Sequence, residues 1–180
     1  MASAHTHSPR PELRLYAAAD RAGGRKDHRR ELVAEIARYL GAVSILLVGA
    51  VHAEQYYEDY FSIVPTIGTL FLLSFVGAGV VGTVLFLPVR RLGRRIGDLI
   101  LSLAALGAIG IALGTLVSLL ISEYRPLFGF MESGYRLAIV LTLLFDGLTT
   151  VFLGVFLVIV GPRVVRALRS ASPHREEAGT

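Results

Sequence analysis

The sequence predicts an all-α fold: one domain of four transmembrane helices packed as a bundle. Hydrophobic residues make up 53% of the 180 and charged residues only 18%, where a soluble domain carries about 25% charge. The charges gather in the terminal segments and in short connections, and long apolar runs separate them. A soluble core has no room for so much continuous apolar surface. A bilayer accepts it, provided each segment satisfies its own backbone hydrogen bonds, as a helix does.

Residues 1–27 mix Pro, Gly, Ser, His and both signs of charge without periodicity, and are expected to form a disordered cytoplasmic tail. The transmembrane domain is placed at 28–162, with helices over about 36–57, 66–88, 97–121 and 136–160. It opens on an amphipathic stripe, Leu32, Ile36 and Leu40 at four-residue spacing, suited to lying on the membrane or leading into the first span. That span is apolar only from Tyr39 to Ala53, short against the ~20 residues a bilayer needs. Flanking residues must complete it. The second span is bracketed by Pro65 and Pro88, with no charge from Thr66 to Leu87; proline suits the first helical turn and ends a helix elsewhere. The third is rich in leucine, alanine and glycine. The fourth is expected to stop at Gly161-Pro162, leaving 163–180 as a basic cytoplasmic tail. Because the first apolar run follows a long polar leader, a cleaved signal peptide is not expected.

Basic residues set the orientation. Eight, Arg38 the last of them, precede the apolar run of the first span at Tyr39, four (Arg90, Arg91, Arg94, Arg95) lie between the second and third, and four (Arg163, Arg166, Arg169, Arg175) follow the fourth; only Arg125 and Arg136 lie on the other side. Short loops rich in arginine face the cytoplasm, so both termini are expected there, in the cell membrane. Tyr56, Tyr57, Tyr60, Tyr124 and Tyr135 cluster at the opposite end, as an interfacial aromatic belt would. Seventeen arginines against one lysine also suggest a GC-rich bacterial genome.

Few residues are candidates for chemistry. The chain has no cysteine, which excludes disulfides and thiolate metal sites, and no catalytic or cofactor motif stands out. Asp146 is the only charge in the fourth span, nine residues in, roughly 13 Å deep at ~1.5 Å per residue. Thr142, Thr150 and Gly154 share its face at four-residue steps. Such a carboxyl is either a proton or cation site or a neutral acid tying helices together. His52 opens a run with Glu54 and Glu58; it either pairs with Asp146 across the bundle, binds a metal with those carboxylates, or, as an interfacial histidine, bonds only backbone or water. The acidic residues of the outer loops (Glu54, Glu58, Asp59, Glu123, Glu132) either attract cations or simply solvate the loops.

Small residues mark packing faces: Ala104, Ala108 and Ala112, with Gly110 and Gly114, in the third span, and Ala78 with Gly82 in the second. Faces of this kind let helix backbones approach closely, within the chain or between copies. The arginine clusters suit anionic lipid headgroups at the cytoplasmic surface. Topology alone explains them, so nucleic acid is not an expected partner.

The stretches Tyr60–Leu73 and Ile121–Arg136 resemble a family of small bacterial four-helix integral membrane proteins with no known activity, over roughly residues 38–160. The resemblance implies the fold and no functional residues. Small multidrug-resistance transporters also have four helices, but they are shorter and place an essential glutamate in the first span, where this chain has none between Tyr39 and Ala53. Two readings follow: a structural or interaction subunit of the membrane, or a small proton- or cation-coupled transporter or channel built on Asp146.

Overall fold

The computed structural model describes residues 11–58, 65–124 and 137–171. They form four helices, α1 (Pro11–Glu58), α2 (Pro65–Phe86), α3 (Arg94–Tyr124) and α4 (Leu137–Ala171), with a short 3-10 turn at Val89–Leu92 between α2 and α3. Each helix is long and apolar enough to cross a membrane. The chain is a multi-pass membrane protein. At ~1.5 Å per residue the 22-residue α2 is about 33 Å long, close to the hydrocarbon thickness.

Each helix packs on its chain neighbour, α1 closes the ring against α4, and α1 and α3 barely touch across it. Neighbours run antiparallel. Gly49 meets Ala78 while Leu46, earlier in α1, meets Gly82, later in α2. Gly41 likewise faces Leu153, and Glu31, further back, reaches Arg163, further on.

Side-chain size is distributed inside out. The core holds Ala34, Ala37, Ala42, Ala78, Ala104, Ala105 and Ala108 around a few larger residues such as Ile45, Leu101, Leu153 and Phe156. Leucines, valines and isoleucines are exposed along all four helices, among them Leu73 at 62%, Leu103 at 60% and Val158 at 76%. In water such a belt would far exceed the few hundred Å² of apolar patch that soluble monomers tolerate. In lipid it is the solvated surface, and small residues inside give the backbone contact that holds the helices together.

The helix boundaries depart from the sequence expectations in two places. Helix α1 begins at Pro11, so residues 11–27 are helical and not disordered; residues 1–10 lie outside the described region. Pro11 suits a first helical turn, the run Leu13–Ala19 is rich in strong helix formers, and extending an existing helix costs less than nucleating one. The stripe Leu32, Ile36, Leu40 leads straight into the span, exposed on the outer face of α1. Helix α4 runs through Pro162 to Ala171, so 163–171 is helix; 172–180 lie outside the described residues. The hydrogen bond Pro162 cannot make is to the carbonyl of Val158, on the most exposed flank of α4, where one lost bond kinks more readily than it breaks.

Glycine matters most where backbones nearly touch. A Cβ on Gly41 would lie 2.4 Å from Leu153 Cδ2, and one on Gly82 2.7 Å from Leu46 Cδ2. Ala104, Ala108 and Ala112 are buried, as is Ala78. Gly110 and Gly114 instead look outward with nothing within 4 Å of a Cβ, so that part of the third-span face packs on no other helix of the described chain.

Candidate functional site

Two polar sites interrupt the apolar bundle. The first is in mid-membrane. Asp146 is 1% exposed, and its carboxyl lies on the α3 side of α4. The hydroxyl oxygen of Thr115 lies 2.6 Å from Asp146 Oδ2 and 2.9 Å from the carbonyl oxygen of Ala112. Asp146 Oδ1 is buried without a partner. Of the hydroxyls grouped with it by spacing, Thr150 donates to the Asp146 main-chain carbonyl at 2.9 Å, and Thr142 is half-buried one turn before. The contact to the carboxyl comes from Thr115 and from neither of these hydroxyls. The hydroxyl turned fully inward is Thr149, 0% exposed, whose Oγ1 has no partner.

His52 is buried on α1 and belongs to a different contact. Its Nδ1–H donates to the Val48 carbonyl at 2.8 Å, since a carbonyl can only accept. Its ring lies against that of Phe71 of α2, centroids 5.3 Å apart and tilted by 44°. No hydrogen bond links it to Asp146 among the described residues, so the His–Asp pair considered from the sequence does not form. No group of three or more His, Cys, Asp or Glu gathers for a metal among the described residues. The side chain of Glu58, with Asp59 and Glu132, lies outside them.

The second site was not visible as a site in the sequence: a layer of ion pairs across the arginine-rich end. Helix α2 ends at Phe86 because Pro88 cannot continue it. Its last carbonyls need donors. Arg38, only 5% exposed, reaches over from α1 and donates through one terminal nitrogen to the carbonyl of Leu85 at 2.8 Å and that of Leu87 at 3.4 Å. A cation at a helix C-terminus is also favoured by the helix dipole. The other terminal nitrogen of Arg38 pairs with Glu35 at 2.6 Å, and the guanidinium lies 4.2 Å over the ring of Tyr39.

From Glu35 the network spreads. Its second oxygen accepts from Arg90 in the 3-10 turn. Arg90 Nε in turn donates to Asp98 on α3 at 2.7 Å. Asp98 is 4% exposed, so its charge requires this partner. One turn earlier on α1, Glu31 accepts from Arg94 of α3 and lies 3.4 Å from Arg163 of α4. The hydrogen bond from Arg94, with the charges of Arg94, Arg163 and Arg90, holds the Glu31 carboxyl below the usual carboxylate range despite its slight burial.

Backbone geometry makes this possible at two glycines. Gly93 takes φ +111° to turn the chain into α3. Gly97 lets the turn settle on α3, where a Cβ would lie 2.6 Å from the Cα of Arg90. Every helix contributes to the layer, three through charged side chains and α2 through its carbonyls. No family model matches the chain, and neither a curated protein nor a solved structure is similar to it.

Proposed function

We propose that the chain is a structural or interaction subunit of the cell membrane, with both termini in the cytoplasm and anionic lipid around its arginine-rich end. The observation that carries this reading is the closure of Asp146: at 1% exposure, with Thr115 on its carboxyl, it is a clamp between α3 and α4. The hydroxyl geometry supports a neutral acid. Thr115 owns one hydrogen yet contacts two acceptors, Ala112 and Asp146. Both contacts become hydrogen bonds when the carboxyl brings a proton of its own. The outward Gly110–Gly114 face then offers a partner helix, from a second copy or another protein, a close approach.

The second reading, proton- or cation-coupled transport, is favoured by one feature, the unpartnered Asp146 Oδ1. A single variant separates the two. Asp146→Asn should fold with a melting temperature near that of the parent, because an amide replaces a neutral acid in hydrogen bonding. In reconstituted vesicles neither protein should conduct protons or cations. Flux through the parent that disappears in Asp146→Asn sinks the subunit reading.

The orientation rests on the arginine asymmetry and has its own test. Cysteines introduced at Ser62 and Ser133, both outside the described residues, should react with an impermeant reagent added to intact cells. One at Ser170 should react only after lysis. Labelling at Ser170 in intact cells inverts the topology.

A further inference from the structure

Beside the ion-pair layer lies a cleft of about 350 Å³ between α1 and the connection from α2 to α3, within the size range of small-molecule sites, about 300–1,000 Å³. We propose that it holds the phosphate of an anionic phospholipid. This rests on the membrane-spanning reading of the bundle, and on neither the orientation nor the subunit role.

One wall is basic, with Arg38, Arg90 and Arg91, and the carboxylate of Glu35 lies among them. The charges do not cancel. Glu35 serves Arg38 and Arg90, and Asp98 serves Arg90 again. Arg91 is exposed and has no ion pair among the described residues. Three guanidiniums against two carboxylates leave one positive charge, which a phosphodiester, a monoanion, balances. Arg38 adds a second signal: it is 95% buried, by its 5% exposure, and its Nε has no partner. A guanidinium so deeply placed has an unmet donor beside a cleft whose one carboxylate, Glu35, is already shared between Arg38 and Arg90.

The other wall is apolar, with Tyr39 and Leu87, which are 41% and 47% exposed. Tyr39 meets Phe86 in a tilted ring contact at 5.7 Å, and Phe86 and Leu40 carry the exposed apolar surface on from the cleft. A free phosphate gains nothing from that surface. A lipid gains from both: its headgroup meets the arginines while its acyl chains follow the groove between α1 and α2. The chains keep there the apolar surroundings they have in the bilayer, so the arginines choose which lipid sits there and the apolar wall orients it.

The test uses the full-length protein in a mild neutral detergent, with phosphatidylglycerol, phosphatidylcholine and inorganic phosphate as probes. Phosphatidylglycerol should bind as a one-to-one adduct in native mass spectrometry and raise the melting temperature; phosphatidylcholine and phosphate should do neither. Arg91→Ala, at an exposed and unpaired position, should fold normally and weaken phosphatidylglycerol about fivefold, the loss of one basic contact near a charged surface. Arg95→Ala removes another exposed arginine, outside the cleft, and should leave affinity unchanged. Equal losses in the two variants would mean diffuse attraction and overturn the proposal. Equal protection by phosphatidylcholine would overturn the arginine wall, and protection by phosphate alone would overturn the lipid.

Discussion

Arg38→Ala should cost about 3–5 kcal/mol of stability, the range for removing one partner from a buried charged cluster. The loss has two sources. The carbonyls of Leu85 and Leu87 lose their cation, leaving the end of α2 without that donor where Pro88 supplies no N–H. Glu35 keeps Arg90 but loses its neighbour on α1, so Arg90 is drawn between Glu35 and Asp98 with less charge to balance them. Arg38→Lys should recover only part, because an ammonium lacks the planar fork that serves a carbonyl and a carboxylate together. The comparison is Arg94→Ala. Arg94 is 65% exposed in its pair with Glu31, and such pairs contribute about 0–1 kcal/mol. Thermal melting of the three variants in one detergent checks the order. An Arg38→Ala cost no larger than that of Arg94→Ala would show that α2 ends stably without its cap.

Gly41→Leu should destabilise at the upper end of the ~1–3 kcal/mol seen for overpacking, or beyond it. Even the first carbon of a side chain at Gly41 meets Leu153 at 2.4 and 2.5 Å, with the Leu153 main-chain nitrogen at 3.4 Å behind. Leu153 is itself fully buried, so its displacement moves α4 off α1. Gly110→Leu makes the same chemical change where a Cβ meets nothing within 4 Å. Its effect on melting should stay within about 0.5 kcal/mol, as at other exposed sites. If the outward face of α3 carries a partner, Gly110→Leu should instead remove the larger species from native gels of mildly solubilised membranes. Equal melting of Gly41→Leu and the parent would mean the α1–α4 contact is looser than drawn.

The spans were legible in the sequence because a bilayer imposes a length and a polarity that a single segment must meet by itself. Pro65 marked the start of α2 for the same local reason. What was not legible depends on rotation about a helix axis. Four-residue spacing places Gly110 and Gly114 on one face but does not say whether that face turns inward, and of the two glycines closest to a side chain of another α-helix, Gly41 and Gly82, the first lies outside any spacing motif. The partner of Asp146 was in principle readable. Thr115 lies nine residues before the end of α3 at Tyr124, and Asp146 nine after the start of α4 at Leu137, so an antiparallel pair sets them at one depth. Arg38 and Leu85 stand in the same relation, each twenty residues from the α1–α2 connection. Charge counting had assigned Arg38 to topology. Its burial against α2 emerges only when the two helices are laid side by side.

The inside-out distribution of side-chain size also governs how this protein can change over generations. Outward positions such as Leu103, Val151 and Val158 need only be apolar, so leucine, valine, isoleucine and phenylalanine exchange there almost without consequence. Inward positions such as Gly41, Ala42, Ala78, Ala105 and Ala108 admit little beyond glycine, alanine and serine. Neutral drift is therefore confined to the lipid-facing majority, and descent should be recorded in a sparse lattice of tiny residues and paired charges. Two diverged copies could share almost none of their leucines and still fold alike, provided that lattice kept its spacing.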